Sequence, residues 1–132
     1  MPLTISVSAN EINTMIRIVE RYLIELRSNN EKLAESEIEK KARNRQLDEF
    51  IYGAMNETIA KNNTYRLKNP NADLDDLFDM EFSEGSVGMY KDSIAAFLDQ
   101  VKNTEIETLH PEHIAHSKRL LEAFDNPVSY KK

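Results

Sequence analysis

His110, His113 and His116 are the only histidines of the chain and recur at every third position. On a helix that spacing turns each imidazole ~60° from the one before, so all three fit within one arc and, with Glu107 or Glu112, make a conceivable zinc or iron site. Glu107 and His110 also spell one Glu-x-x-His element, whereas a di-iron bundle needs two such elements and further carboxylates from other helices. Pro111 directly follows His110 and is expected to end the geometry that would align it with the other two. The zinc protease pattern, two His four apart with Glu after the first, is absent. Exposed or capping histidines at a helix start are the simpler reading, and no metal ligand or cofactor is assigned.

A second cluster is acidic. Asp73, Asp75, Asp76, Asp79, Glu81 and Glu84 alternate with Leu74, Leu77, Phe78, Met80 and Phe82. Carboxylates at odd spacings suit calcium, but neither loop register works. Starting at Asn69 puts Leu74 where the turn requires Gly and Met80 where the bidentate Glu belongs; starting at Asn71 puts Asp76 and Phe82 there. Three readings remain: a short amphipathic helix capped by Asp73, an acidic and aromatic docking segment, and a negative patch that meets a basic surface or mimics nucleic acid. The chain carries 17 basic and 23 acidic side chains, a formal charge of −6. Segment by segment the charge is 0 for 1–30, −1 for 31–62, −6 for 63–109 and +1 for 110–132, so it resides in one third of the chain.

Other chemistries find no residues. There is no cysteine for a thiolate site or nucleophile, no Gly-x-Ser-x-Gly elbow and no P-loop or dinucleotide fingerprint. Lys40, Lys41, Arg43 and Arg45 are interleaved with Glu37 and Glu39 and lack an aromatic neighbour for base stacking, which fits a solvated helical face better than a nucleic-acid site. The first ten residues hold no basic cluster and no long apolar run, so a soluble, cytoplasmic protein without a membrane partner is expected.

The elements that position these residues are helices. Three Gly and four Pro give too little turn material for a sandwich or barrel, while apolar residues are 40% of the chain. Ser8 and Glu11 form a capping signature before Ile12, Ile16, Val19, Leu23 and Leu26, which share one helix face. Met15, Ile18 and Tyr22 make a second stripe, wider than one neighbour needs, and are assigned to self-association in a homodimer. Ser28 and Glu31 repeat the signature and predict a break there, an uninterrupted helix being the alternative. The next helix, residues 31–62, would extend ~48 Å against a radius of gyration of ~14 Å for a globule of this length. Its second half carries the stripe Leu47, Phe50, Ile51, Ala54, Met55 and Ile59, and its first half reads as a solvated arm laced by Glu37–Lys41 and Glu39–Arg43 pairs. A short third helix follows Asp73, a fourth carries Val87, Tyr90, Ile94, Phe97, Leu98 and Val101, and a fifth opens at Pro111. Thr4–Val7 is at best an edge strand.

The expected architecture is one all-α domain over 1–132: a bundle of four to five helices on a long antiparallel hairpin (9–62), shorter C-terminal helices (73–126), and tails at 1–7 and 127–132. The expected role is non-enzymatic. A small inhibitor or adaptor would dock on a larger partner through Asp73, Asp75, Asp76, Phe78, Asp79, Met80, Glu81 and Phe82, residue types suited to adaptable interface pockets. A metal-dependent enzyme using His110, His113 and His116, and an acidic mimic of nucleic acid, are the alternatives.

Overall fold

The structure is a computed structural model that describes residues 2–103 and 111–127. Its elements run β1 (Leu3–Ser8), α1 (Ala9–Leu33), α2 (Glu37–Lys68), β2 (Leu77–Phe82), α3 (Glu84–Asn103) and α4 (Pro111–Asp125). The chain is mostly helical, as its composition implies, with a small two-stranded antiparallel sheet added.

The capping signature at Ser8 forms as expected. The Ser8 hydroxyl accepts from the Glu11 amide at 3.1 Å and the Glu11 carboxylate accepts from the Ser8 amide at 2.8 Å. From there Ile12, Met15, Ile18, Val19 and Leu23 enter the core. The wide apolar surface of α1 is explained by its position, because α2, α3 and α4 all pack on this one helix. Met15 and Ile18, assigned to self-association, are buried inside the monomer and unavailable to a second copy.

The break between α1 and α2 lies at residues 34–36 rather than at Ser28. The Ser36 hydroxyl accepts from the Glu39 amide at 3.1 Å and starts α2, whereas Ser28 to Glu31 continue α1. Both sites carry the same Ser-x-x-Glu spelling, so local sequence did not choose between them. The uninterrupted-helix alternative is excluded by the break. Arg27 of α1 holds Asp48 of α2 through two hydrogen bonds of 3.0 and 2.5 Å. Along α2 the buried residues are Ile51, Ala54, Met55, Thr58 and Asn62, none of them before residue 51; Phe50 and Ile59, expected in that stripe, are exposed. The first half is the solvated arm, with Glu39–Arg43 paired at 3.0 Å and Glu37 paired to Lys40 rather than Lys41.

Two expectations are corrected by the sheet. Residues 3–8 are not a tail: β1 pairs with β2 from Leu3 opposite Phe82 to Ser8 opposite Leu77, and Ile5 and Val7 are fully buried. Nor is there a helix after Asp73. Residues 77–82 alternate, Met80 and Phe82 entering the core and Leu77, Asp79 and Glu81 pointing out, which is the period of a strand. The alternating acids that suggested a capped helix are the outer face of that strand. Phe82 sits at the centre of the packing, edge-on to Tyr90 at 5.6 Å and to Phe124 at 5.5 Å between ring centroids. Burying each such side chain contributes about 1.5–3 kcal/mol.

Candidate functional site

The acidic segment begins in the loop after α2, and its backbone is tied down at several points. The Asp73 carboxylate accepts from the Asp75 amide at 2.8 Å, the Asp76 carboxylate accepts from the Asp73 amide at 3.0 Å, and the Asp76 amide reaches the Asp73 carbonyl at 3.0 Å. Asn10, at the start of α1, then fastens the loop from outside. Its side-chain amide donates to Asp75 at 2.7 Å and its backbone amide donates to the Leu74 carbonyl at 3.1 Å. The carboxylates of Asp73, Asp75 and Asp76, crowded in a short span, repel one another, so donors that hold all three in place are what keeps this loop in one shape.

Downstream the residues divide by parity. Asp73, Asp75, Asp76, Asp79 and Glu81 are exposed. Met80 and Phe82 are not part of it, since both are buried in the core. Phe78 is intermediate: its ring stacks on Tyr65 of α2 with centroids 3.7 Å apart, so it braces β2 against α2. In place of the buried residues the surface offers Leu77, 55% exposed, and Leu74, 42% exposed, both within the span of the short third helix expected after Asp73. Beside Leu74 a hollow of about 500 Å³ is lined by Tyr65, Arg66, Asn69, Ala72 and Asp73. Lys61 closes the far end of the strand, donating to the Glu81 carbonyl at 2.6 Å while pairing with Glu57 at 3.1 Å. Asn10 and Lys61 escaped the sequence reading, and Leu74 and Leu77 were noted beside the acids without being assigned to the docking face. The alternation Phe78, Asp79, Met80, Glu81, Phe82 was the signal that would have found Leu77.

The other candidate residues lie elsewhere. Tyr22 borders a second hollow of about 510 Å³ between α1 and α3, with Arg21, Lys32, Ser93 and Gln100. Partial burial, aided by the charges of Asp92 and Glu25, raises its phenol above the ordinary value. His116 reaches α1, with its Nδ1 2.8 Å from the Thr14 hydroxyl, and the His113 carbonyl accepts from Ser117 at 2.7 Å. His110 and Glu107 lie outside the described residues. Among the described residues no three metal-ligating side chains converge, and no helix is long and apolar enough to cross a membrane. Next to His116, Arg119 clasps the buried Glu11 carboxylate through Nε and, at 2.7 Å, Nη2, and donates also to the Ser6 carbonyl. This fork joins α4, α1 and β1, and it orders the fold rather than presenting chemistry to solvent. Compared with known proteins, the chain matches no family model, no curated protein and no solved structure.

Proposed function

We propose that the protein is a small non-enzymatic binding module, an inhibitor or adaptor that docks on a larger partner through its acidic face. Asp73, Asp75, Asp76, Asp79 and Glu81 form the charged part of the contact and Leu74 and Leu77 its apolar part. The observation that carries the reading is the set of hydrogen bonds fixing the acidic loop, above all Asn10 on Asp75. A mutually repelling cluster held rigid before any partner arrives loses little conformational freedom on binding, which is the economy of a preorganised interface. The matching partner surface is basic. Helices α1 and α2, taken as an antiparallel frame, carry that face at one end and the solvated arm at the other. Self-association is dropped from this reading, because Met15 and Ile18 are spent in the core.

The test is affinity capture from the native cell with the wild type and with Asp75, Asp76 and Asp79 all changed to Asn. Asn retains an oxygen for the Asn10 and Asp73 amides, so the loop keeps its acceptors while losing charge. Partners recovered from the wild type in low salt are expected to be lost with the variant, and circular dichroism is expected to be unchanged. Equal recovery by a folded variant means that the acidic face is not the docking surface.

A further inference from the structure

The hollow of about 500 Å³ beside Leu74 has two walls of different charge. The last turn of α2 supplies Tyr65, Arg66 and Leu67, and the loop that follows supplies Pro70, Asp73 and Leu74. Its size suits a single bulky side chain or a small ligand, not a folded element. The walls are set in place by bonds of their own. The Tyr65 ring stacks on Phe78, and the Tyr65 carbonyl accepts from both the amide and the side chain of Asn69 at 2.9 Å. Ala72 donates its amide to the Asn69 carbonyl at 3.1 Å, and the Asn10 amide does the same for the Leu74 carbonyl. Apolar surface on these walls is left to water, most of all at Leu67, which is 83% exposed. Exposed leucines on a preformed hollow with charged neighbours are the anatomy of a site that takes an anchor residue.

Resting on the docking reading above, we infer that the hollow receives one bulky apolar side chain of the basic partner, Phe or Leu, and that the partner's Lys or Arg residues lie to one side of this anchor. Charge complementarity fixes the side. Asp73 lines the loop wall and Asp75 and Asp76 continue the acidic run, whereas Arg66 on the α2 wall is a cation with no ion pair among the described residues. Basic residues are attracted on the loop side and repelled on the α2 side. The acids act at long range and steer a basic segment to the loop. The anchor supplies the short-range part of the affinity by covering its own surface together with that of Leu67 and Leu74. A basic tail without an apolar residue is held weakly, and an apolar residue with cations on both sides suffers at Arg66.

The probes are end-blocked peptides titrated into the full chain by calorimetry at low salt: Phe-Ser-Lys-Ser-Lys-Ser-Lys, its reverse, and the same two with Ala in place of Phe. Each Phe peptide has the charge of its Ala counterpart, so the difference within a pair reads the anchor alone. The inference requires Phe to bind at least about tenfold more tightly than Ala in one of the two chain directions, the order expected for burying a Phe ring. Leu67 is mostly exposed, so Leu67→Ser keeps the fold; it is expected to remove most of that advantage and to leave the Ala peptides unchanged. Ala72 also lines the hollow, and Ala72→Phe, which fills it, is expected to abolish the advantage. Dividing the three lysines between both sides of Phe is expected to weaken binding severalfold, and Arg66→Gln to restore it. Should Ala72→Phe fail to fold, the peptide pairs and Leu67→Ser still decide. Equal binding of Phe and Ala peptides, lost when Asp75 and Asp76 are changed to Asn, overturns the anchor and leaves charge-driven docking standing. A Phe advantage that survives Leu67→Ser and Ala72→Phe overturns the hollow as its seat. A wild-type dimer in sedimentation that Leu67→Ser dissolves means that a second copy fills the hollow, and overturns the inference. Binding of no peptide, or binding indifferent to the Asn changes, overturns it together with the acidic face as a site for basic segments.

Discussion

Two Arg–carboxylate forks hold the molecule at opposite ends, and they do different work. Arg119 and Glu11 meet where β1, α1 and α4 converge, with the Glu11 side chain 4% exposed and also bonded to the Ser8 amide. Arg27 and Asp48 join α1 to α2 at the start of the solvated arm, with side chains 42% and 32% exposed. The Asp48 hydrogen bonds raise the Arg27 guanidinium further above its ordinary value, yet water around the pair screens what that is worth to stability. Identical chemistry is thus a keystone where it is desolvated and bonded three ways, and a minor clasp where it is wet.

The contrast can be broken or sharpened by substitution, beginning with the packed end. Phe82→Ala removes the ring that both Tyr90 and Phe124 meet, and it is expected to cost about 3–5 kcal/mol, read as a fall in the urea midpoint. Glu11→Ala removes the cap and leaves Arg119 without its carboxylate, at an expected cost of about 2–3 kcal/mol. A loss no larger than that of Arg27→Ala would erase the distinction between the two forks. Tyr90→Phe comes next. The Tyr90 hydroxyl lies 2.6 Å from that of Thr58 and 3.3 Å from the Ala54 carbonyl, and its loss is expected to cost about 1 kcal/mol. Burial pushes the Tyr90 phenol from 10.0 up to about 12, partly opposed by the Thr58 hydrogen bond. The folded state therefore keeps a proton that the unfolded chain releases, and wild-type stability is expected to fall as pH rises from 10.0 to about 12, a slope that Tyr90→Phe flattens.

At the wet end the effects shrink. Arg27→Ala is expected to cost about 0.5 kcal/mol, and less in high salt. Smallest in global terms is Ser36→Ala, whose effect is local: faster hydrogen exchange at the first turn of α2 with an unchanged urea midpoint. The same turn responds to acid. The Glu35 amide and the Arg43 side chain hold the Glu39 carboxyl below its ordinary 4.5, so this support is present above pH 4.5 and is lost as pH falls through the lowered value.

How far the sequence disclosed this arrangement depends on the range of the interaction. Short-range signals were readable: the Ser8–Glu11 box, the stripe from Ile12 to Leu23, the polar arm and the helix start at Pro111 all depend on residues within a few positions of one another. The sheet was not. Thr4–Val7 is too short to declare itself, and the Phe78 to Phe82 alternation was overshadowed by the capping potential of Asp73. Each strand becomes meaningful only against the other, and nothing local couples Ile5 to Met80. The burial of Met15 and Ile18 was likewise hidden, because a double stripe reads the same whether the second neighbour is α3 and α4 or another chain. Of the candidate surface, the acids were legible and their apolar companions were misassigned, since choosing Leu77 over Met80 requires the strand register.

The pairing of β1 with β2 also sets an order of events during synthesis. Helices α1 and α2 can wind as they emerge, but Ile5 and Val7 have no partner strand until Phe82 has left the ribosome, and Glu11 waits a further stretch for Arg119, 108 positions downstream of it. Made before α1 and α2, β1 is secured only after both. For that interval the nascent chain carries β1 as an uncovered apolar strand, which makes it a place where premature association with other chains would begin.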